Sequence, residues 1–191
     1  MRWLQPGSPE IIKYLLTALI TLQMATSAAA ISVEELNGIN ISVIVGYDMR
    51  VRRAEGTFSG KSTLTMKFKI DSDARIVGEV VRTAHTPRGP ISRASKMNAP
   101  ISRPGSPPQG GDAVWIIEGD KLILLRAFES GGFKTEISFE GTGADMKCSV
   151  RAPFMREEGA GNIRQTQSVK GGPATILSAK ETSAECKLWR D

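Results

Sequence analysis

Histidine is almost missing from this 191-residue chain: His85 stands alone, and there are only two cysteines, Cys148 and Cys186. So few imidazoles and thiols, with no C-x-x-C spacing, leave a zinc site short of ligands, and no metal is expected. No G-x-S-x-G element accompanies His85, so nucleophilic hydrolysis has no signature and no catalytic residue can be nominated. After residue 23 no apolar run approaches the roughly 20 residues of a spanning helix. A net charge of +5 is too small for a dedicated nucleic-acid binder, and no nucleic-acid partner is expected.

The first thirty residues have the grammar of a secretory signal peptide. Lys13 precedes the apolar run Tyr14 to Leu22, and Ala28 and Ala30 stand in an A-x-A cleavage arrangement. Residues 1–30 are therefore expected to be removed. The mature chain, 31–191, is expected to be one soluble β domain, periplasmic or secreted, with a charge of about +4 once Arg2, Glu10 and Lys13 are gone. In an oxidising compartment Cys148 and Cys186 are expected to form a disulfide. The closed loop of about 37 residues gives the bridge roughly 4 kcal/mol in the chain-entropy model.

Downstream of a capping box at Ser32 and Glu35, ended by Asn37-Gly38, the hydrophobic period becomes two. Ile39, Ile41, Val43, Val45, Tyr47, Met49 and Val51 alternate with mostly polar neighbours, and Leu64, Met66, Phe68 and Ile70 do the same. Residues 76–83, 114–117, 121–128, 133–139 and 144–150 continue the theme, joined by Asp71-Ser72-Asp73, Glu118-Gly119-Asp120, Ser130-Gly131-Gly132 and Gly141-Thr142-Gly143. Cys148 falls in the apolar phase of its strand, and Cys186 shares a face with Ala184 and Leu188. Seven or eight strands, each with one apolar face, imply an all-β fold: an antiparallel up-and-down barrel or a strongly curved sandwich.

Two stretches break the pattern. Residues 85–112 carry six prolines and no acidic residue before Asp112, and they predict a long basic loop. Its Arg88, Arg93, Lys96 and Arg103 are candidates for contact with an anionic partner, such as an envelope component. Residues 153–174 predict a second irregular loop. Near-miss motifs add no cofactor. Residues 56–62 have the wrong glycine spacing for a phosphate loop and read as a turn between strands. Asp71-Ser72-Asp73 lacks the sixth-position glycine of a calcium loop and reads as a turn. Asn40-Ile41-Ser42 spells a glycosylation sequon within a strand. Trp115 suits a core or a barrel mouth, and Trp189 is expected to pack near the bridge.

The long strand ending Met49-Arg50-Val51-Arg52-Arg53, the hairpin Phe128-Glu129-Ser130-Gly131-Gly132 and the cysteine-bearing strand after it resemble small exported bacterial β-rich proteins of unknown function. The resemblance implies a periplasmic or secreted β domain and no activity. Lipocalins are an analogy of shape alone, since the first long strand has no Gly-x-Trp motif. The expected role is a binding or interaction domain for a small apolar ligand, an anionic envelope component or a protein. A carboxylate-based hydrolase and a loop-mediated inhibitor of a secreted enzyme are the alternatives. Phe68, Phe128, Phe133, Phe139 and the methionines are numerous enough to fill a small barrel completely.

Overall fold

The computed structural model describes residues 30–54, 56–86, 89–102, 114–128, 131–156 and 175–190. It is all-β apart from one helical turn, α1 (Val33–Leu36), and a 3-10 turn, Gly143–Asp145. The strands are β1 (Asn40–Arg53), β2 (Gly56–Ile70), β3 (Arg75–Thr86), β4 (Gly89–Ser102), β5 (Val114–Glu118), β6 (Lys121–Phe128), β7 (Gly131–Glu140), β8 (Lys147–Arg151), β9 (Phe154–Arg156) and β10 (Thr175–Trp189). They form one curved, nearly closed barrel-shaped sheet in the order β10-β1-β2-β3-β4-β5-β6-β7-β8, with β9 paired to β7. Ten strands replace the seven or eight expected.

The extra strands have physical causes. Residues 89–102, expected as loop, are β4, which pairs with β3 from Thr86↔Gly89 to Arg75↔Pro100. Proline lacks the ladder donor and is tolerated where one strand edge stays unpaired. On its other side β4 meets β5 only at Ile101 and Ser102, so Pro90 and Pro100 interrupt no second ladder. That β4–β5 joint is parallel, a departure from strict up-and-down order, with residues 103–113 as the connection. Residues 56–62 are also strand: β1 continues to Arg53, which pairs with Gly56 at the start of β2. In the second irregular stretch, Phe154–Arg156 is β9; the 157–174 portion and residues 1–29 lie outside the described residues.

The turns follow their chemistry. Asp71 Oδ1 accepts from the N–H groups of Asp73 (3.0 Å) and Arg75 (2.9 Å), which is turn stabilisation. Gly119, at φ +61°, supplies the left-handed residue of the two-residue β5–β6 turn. At α1, Ser32 Oγ accepts from the Glu35 N–H (3.2 Å) and Glu35 Oε2 accepts from the Ser32 N–H (2.9 Å), completing the capping box.

This helical turn closes one end of the barrel. Leu36 is fully buried, and the Ile31 N–H donates to the Gly119 carbonyl. Ile39, Ile41, Ile70, Ile76, Ile137 and Phe139 are buried in the same core cluster as Leu36 and are absent from the cavity lining, so large side chains fill this half. Strands β1–β4 and β10 are 12 to 15 residues long, whereas β5–β9 have at most 10. The long strands run on past the short ones, and inner-face Phe58 and Ile91 near their far ends are 48% and 57% exposed.

Candidate functional site

The barrel has a seam, and the sequence places polar groups along it. The sheet order ends at β10 on one side and β8 on the other, and the Cys148–Cys186 disulfide joins those two strands across a Cα–Cα distance of 5.6 Å. The bridge ties the two terminal strands of the sheet.

A β-bulge completes the closure. β10 runs in phase with β1 from Leu188 to Ser183, then slips by one residue, so Thr182 is skipped and Glu181 stands opposite Tyr47. A bulge re-aims every side chain beyond it. Here it turns Glu181 to the Tyr47 face, where Glu181 Oε2 accepts from the Ala152 N–H (2.7 Å). The Tyr47 hydroxyl donates to the Ala152 carbonyl (3.0 Å), so both backbone groups of the residue after β8 are held by the opposite side of the seam. The Tyr47 ring packs edge-on against Phe133, with centroids 5.1 Å apart. A second bulge, between Arg50 and Val51, skips Leu177 and returns Ile176 to the inner face.

Burial pushes the Tyr47 phenol far above its ordinary value of 10.0, and the Glu181 charge pushes it the same way. The folded chain then holds this proton more tightly than the unfolded chain does. This group leaves stability unaffected below pH 10 and lowers it as pH rises beyond that. Tyr47 is the only tyrosine after residue 30, so phenolate absorbance reads it directly. A chain of residues 31–191 is expected to show no phenolate step near pH 10 while folded and an ordinary step in denaturant. A native step near pH 10 would contradict this seam.

Above the filled half lies a cavity of about 590 Å³. Met49, Leu64, Met66, Val80, Trp115 and Leu124 supply much of its wall. Trp115, 2% exposed, packs on Phe68 of the filled half with ring centroids 5.2 Å apart, so it belongs to the core and borders the cavity as well. Thr135, also on the wall, is the one buried polar residue among the described side chains. No Asp, Glu or His is among the described residues lining the cavity, so a carboxylate pair for hydrolysis has no seat there.

The charged residues of the lining that lie in the inner phase of their strands are Arg82 and Arg126; Lys96 also borders the cavity but lies in the outer phase of β4, opposite Glu79. Arg82 lies on β3 in phase with Ile76 and Val80, and burial lowers its guanidinium pKa. Arg126 is in phase with Leu122 and Leu124 on β6. Sequence reasoning missed both arginines. The signal was present: each occupies an apolar phase of a strand where a polar residue breaks the alternation.

Of the four predicted anion contacts, Arg88 and Arg103 lie outside the described residues. Arg93 and Lys96, both exposed, are an odd number apart on β4 and so fall on opposite faces: Arg93 is opposite Arg82, and Lys96 is opposite Glu79. The described pair therefore forms no single patch. His85 is exposed near the end of β3, opposite Pro90. Trp189 is 43% exposed at the end of β10, opposite Asn40. The Asn40 Nδ2 atom of the sequon is buried and has no hydrogen-bond partner, so the atom a glycosyl transfer would modify is out of reach in the folded chain. Among the described residues no group of His, Cys, Asp and Glu is arranged to hold a metal, and no helix is long and apolar enough to cross a membrane. No family model, curated protein or solved structure significantly matches the chain.

Proposed function

We propose that the mature chain is an exported binding protein, periplasmic or secreted, that holds a small, mostly apolar molecule inside its barrel-shaped sheet. The observation that carries this reading is the cavity. Its 590 Å³ falls within the roughly 300–1,000 Å³ of small-molecule sites. More than half of the lining residues are apolar, including Met49, Leu64, Met66, Val80, Trp115 and Leu124, and hydroxyl, amide and basic residues make up the rest. The disulfide suits an oxidising compartment, and the leader sequence suits export.

A neutral fluorescent arylamine such as N-phenyl-1-naphthylamine tests the reading. In a Trp189→Phe background the mature chain keeps Trp115 as its only tryptophan, at the cavity wall. Saturable binding of about one probe per chain, with energy transfer from Trp115, is the expected result. Emission that rises linearly without saturation would overturn it.

A further inference from the structure

The far end of the long strands is exposed and amphipathic. β3 pairs with β2 only as far as Lys61↔His85, whereas β1 follows β2 to Arg53↔Gly56. Among the described residues, Gly56 to Gly60 therefore have no partner on β3, and the β1–β2 hairpin runs on alone on that side by roughly 17 Å at the usual strand rise. Alternation sorts its side chains. Val51 and Phe58 stand opposite one another in the inner phase, and Phe58 is 48% exposed. Arg50, Arg52 and Lys61 take the outer phase and Arg53 ends the ladder; all four are exposed. Two strands away on the same inner face, β4 carries Ile91, 57% exposed and two residues before exposed Arg93.

This end is basic as well as apolar. Among the described residues from 48 to 61, Asp48 is the one acidic side chain, and it stands between Lys61 on β2 and Lys180 on β10. Glu55 lies outside the described residues. Neither ion pair between described residues involves this hairpin. A phenyl ring and an isoleucine left in water gain free energy from any apolar surroundings that receive them, and arginines clustered beside them attract anions.

We infer that this end of the barrel docks on an anionic lipid surface, with Phe58 and Ile91 entering the acyl boundary and Arg50, Arg52, Arg53, Lys61 and Arg93 meeting the headgroup phosphates. A lipid interface answers both demands at once: apolar side chains leave water, and each basic side chain near an anionic leaflet strengthens binding. Long arginine and lysine stems bring the charge to headgroup level from either face of a strand. A stable protein partner would need a fitted surface of about 800 Å² per side. Ile91 stands level with Ser62 rather than Phe58, with β3 between the two strands, so the two apolar side chains form no continuous patch for such a fit. A fluid lipid layer receives them separately. The surface does not rest on the binding function proposed above.

The experiment mixes a chain of residues 31–191, its disulfide intact, with vesicles of phosphatidylcholine alone or of equal parts phosphatidylcholine and phosphatidylglycerol, and measures co-sedimentation. The anionic vesicles are expected to bind the chain at lipid concentrations at least about tenfold lower, and added salt is expected to erode the difference. Arg50→Ser combined with Arg52→Ser is expected to weaken binding to the anionic vesicles by about tenfold or more. Phe58→Ser is expected to weaken it several-fold while the dependence on anionic lipid remains. Lys67→Ser combined with Lys69→Ser removes the same charge from exposed positions toward the other end of β2 and is expected to leave binding near that of the parent.

All of these side chains are exposed, so denaturation midpoints should agree, and the parent's choice between the two vesicles decides the matter if they do not. Absence of binding to the anionic vesicles would overturn the inference. Equal losses in the arginine and lysine variants would overturn it too, because the attraction would then belong to the whole surface. Self-association of the lipid-free chain that Phe58→Ser abolishes, without vesicle binding, would assign this end to a second copy instead. Saturable binding of the neutral probe tests the cavity separately and stands or falls on its own.

Discussion

Reduction of the Cys148–Cys186 bridge, or Cys148→Ser, is expected to lower stability by roughly 4 kcal/mol, since the two cysteines are 38 positions apart in sequence. The effect should be larger than for a bridge lying within a ladder. No backbone pairing joins β8 to β10 among the described strands, so the disulfide is the covalent part of the seam, and the Tyr47–Ala152–Glu181 hydrogen bonds are its polar part. Without the sulfur link, closure rests on those few hydrogen bonds, each worth about 1 kcal/mol net, and on packing. Urea denaturation with and without reductant measures the difference. The reduced protein should also show the Tyr47 phenolate at lower pH than the oxidised one, because an opened seam admits water to the ring. Coincident denaturation curves would contradict the assignment of the disulfide as the closing element.

Gly78→Ala is expected to cost about 3 kcal/mol or more, a large effect for the addition of one methyl group. Gly78 sits on the inner face of β3 opposite Phe68 of β2. A Cβ added there would lie 2.6 Å from both Cα and Cβ of Phe68, and nearer still to the carbonyl oxygen of Lys67. Two of those atoms are backbone, so no rotamer change relieves the clash; the β2–β3 ladder itself must part. The glycine lets the sheet coil tightly at this point, which places the Phe68 ring on Trp115 and divides the filled half of the barrel from the hollow one. Thermal denaturation of the variant reads the cost, and near-ultraviolet circular dichroism reads the displacement of Trp115. A loss below about 1 kcal/mol would show that the ladder is looser there than these distances imply.

How much of this was legible from the sequence depended on whether a strand kept its period. β1 announces itself because Ile41, Val43, Val45 and Tyr47 never miss a beat, and all four are buried. The capping box at Ser32 was readable from two residues, and the cysteines from their shared apolar phase. β4 was hidden because its inner positions Arg93 and Ser95 are polar and its prolines mimic a loop. Met97, Ala99 and Ile101 keep the alternation and pack against the core, while inner-face Ile91 stands apart from them beyond Arg93 and Ser95. β10 was readable only at its end, since two bulges each reverse the phase and make Glu181 an inner residue, which no uniform period predicts. In the β5–β6 hairpin, Val114 and Ile123 are buried outside the main core cluster, so both faces read as apolar and periodicity alone could not orient the strands. The cavity was the least legible feature: whether aromatic and methionine side chains fill a barrel depends on where along its axis they stand. Phe68 and Phe139 are both in the filled half, which leaves the other half open.

The measurement that bears most directly on the central claim compares the neutral-probe titration of residues 31–191 with that of the same chain carrying Ser95→Phe. Ser95 borders the cavity opposite Val80, and a phenyl ring there would occupy the space without removing a core side chain. The account predicts saturable binding of about one probe per chain to the parent and a loss of at least about tenfold in affinity in the variant, with denaturation midpoints that agree closely. Equal binding by both proteins would place the probe on the outer surface and contradict an interior site.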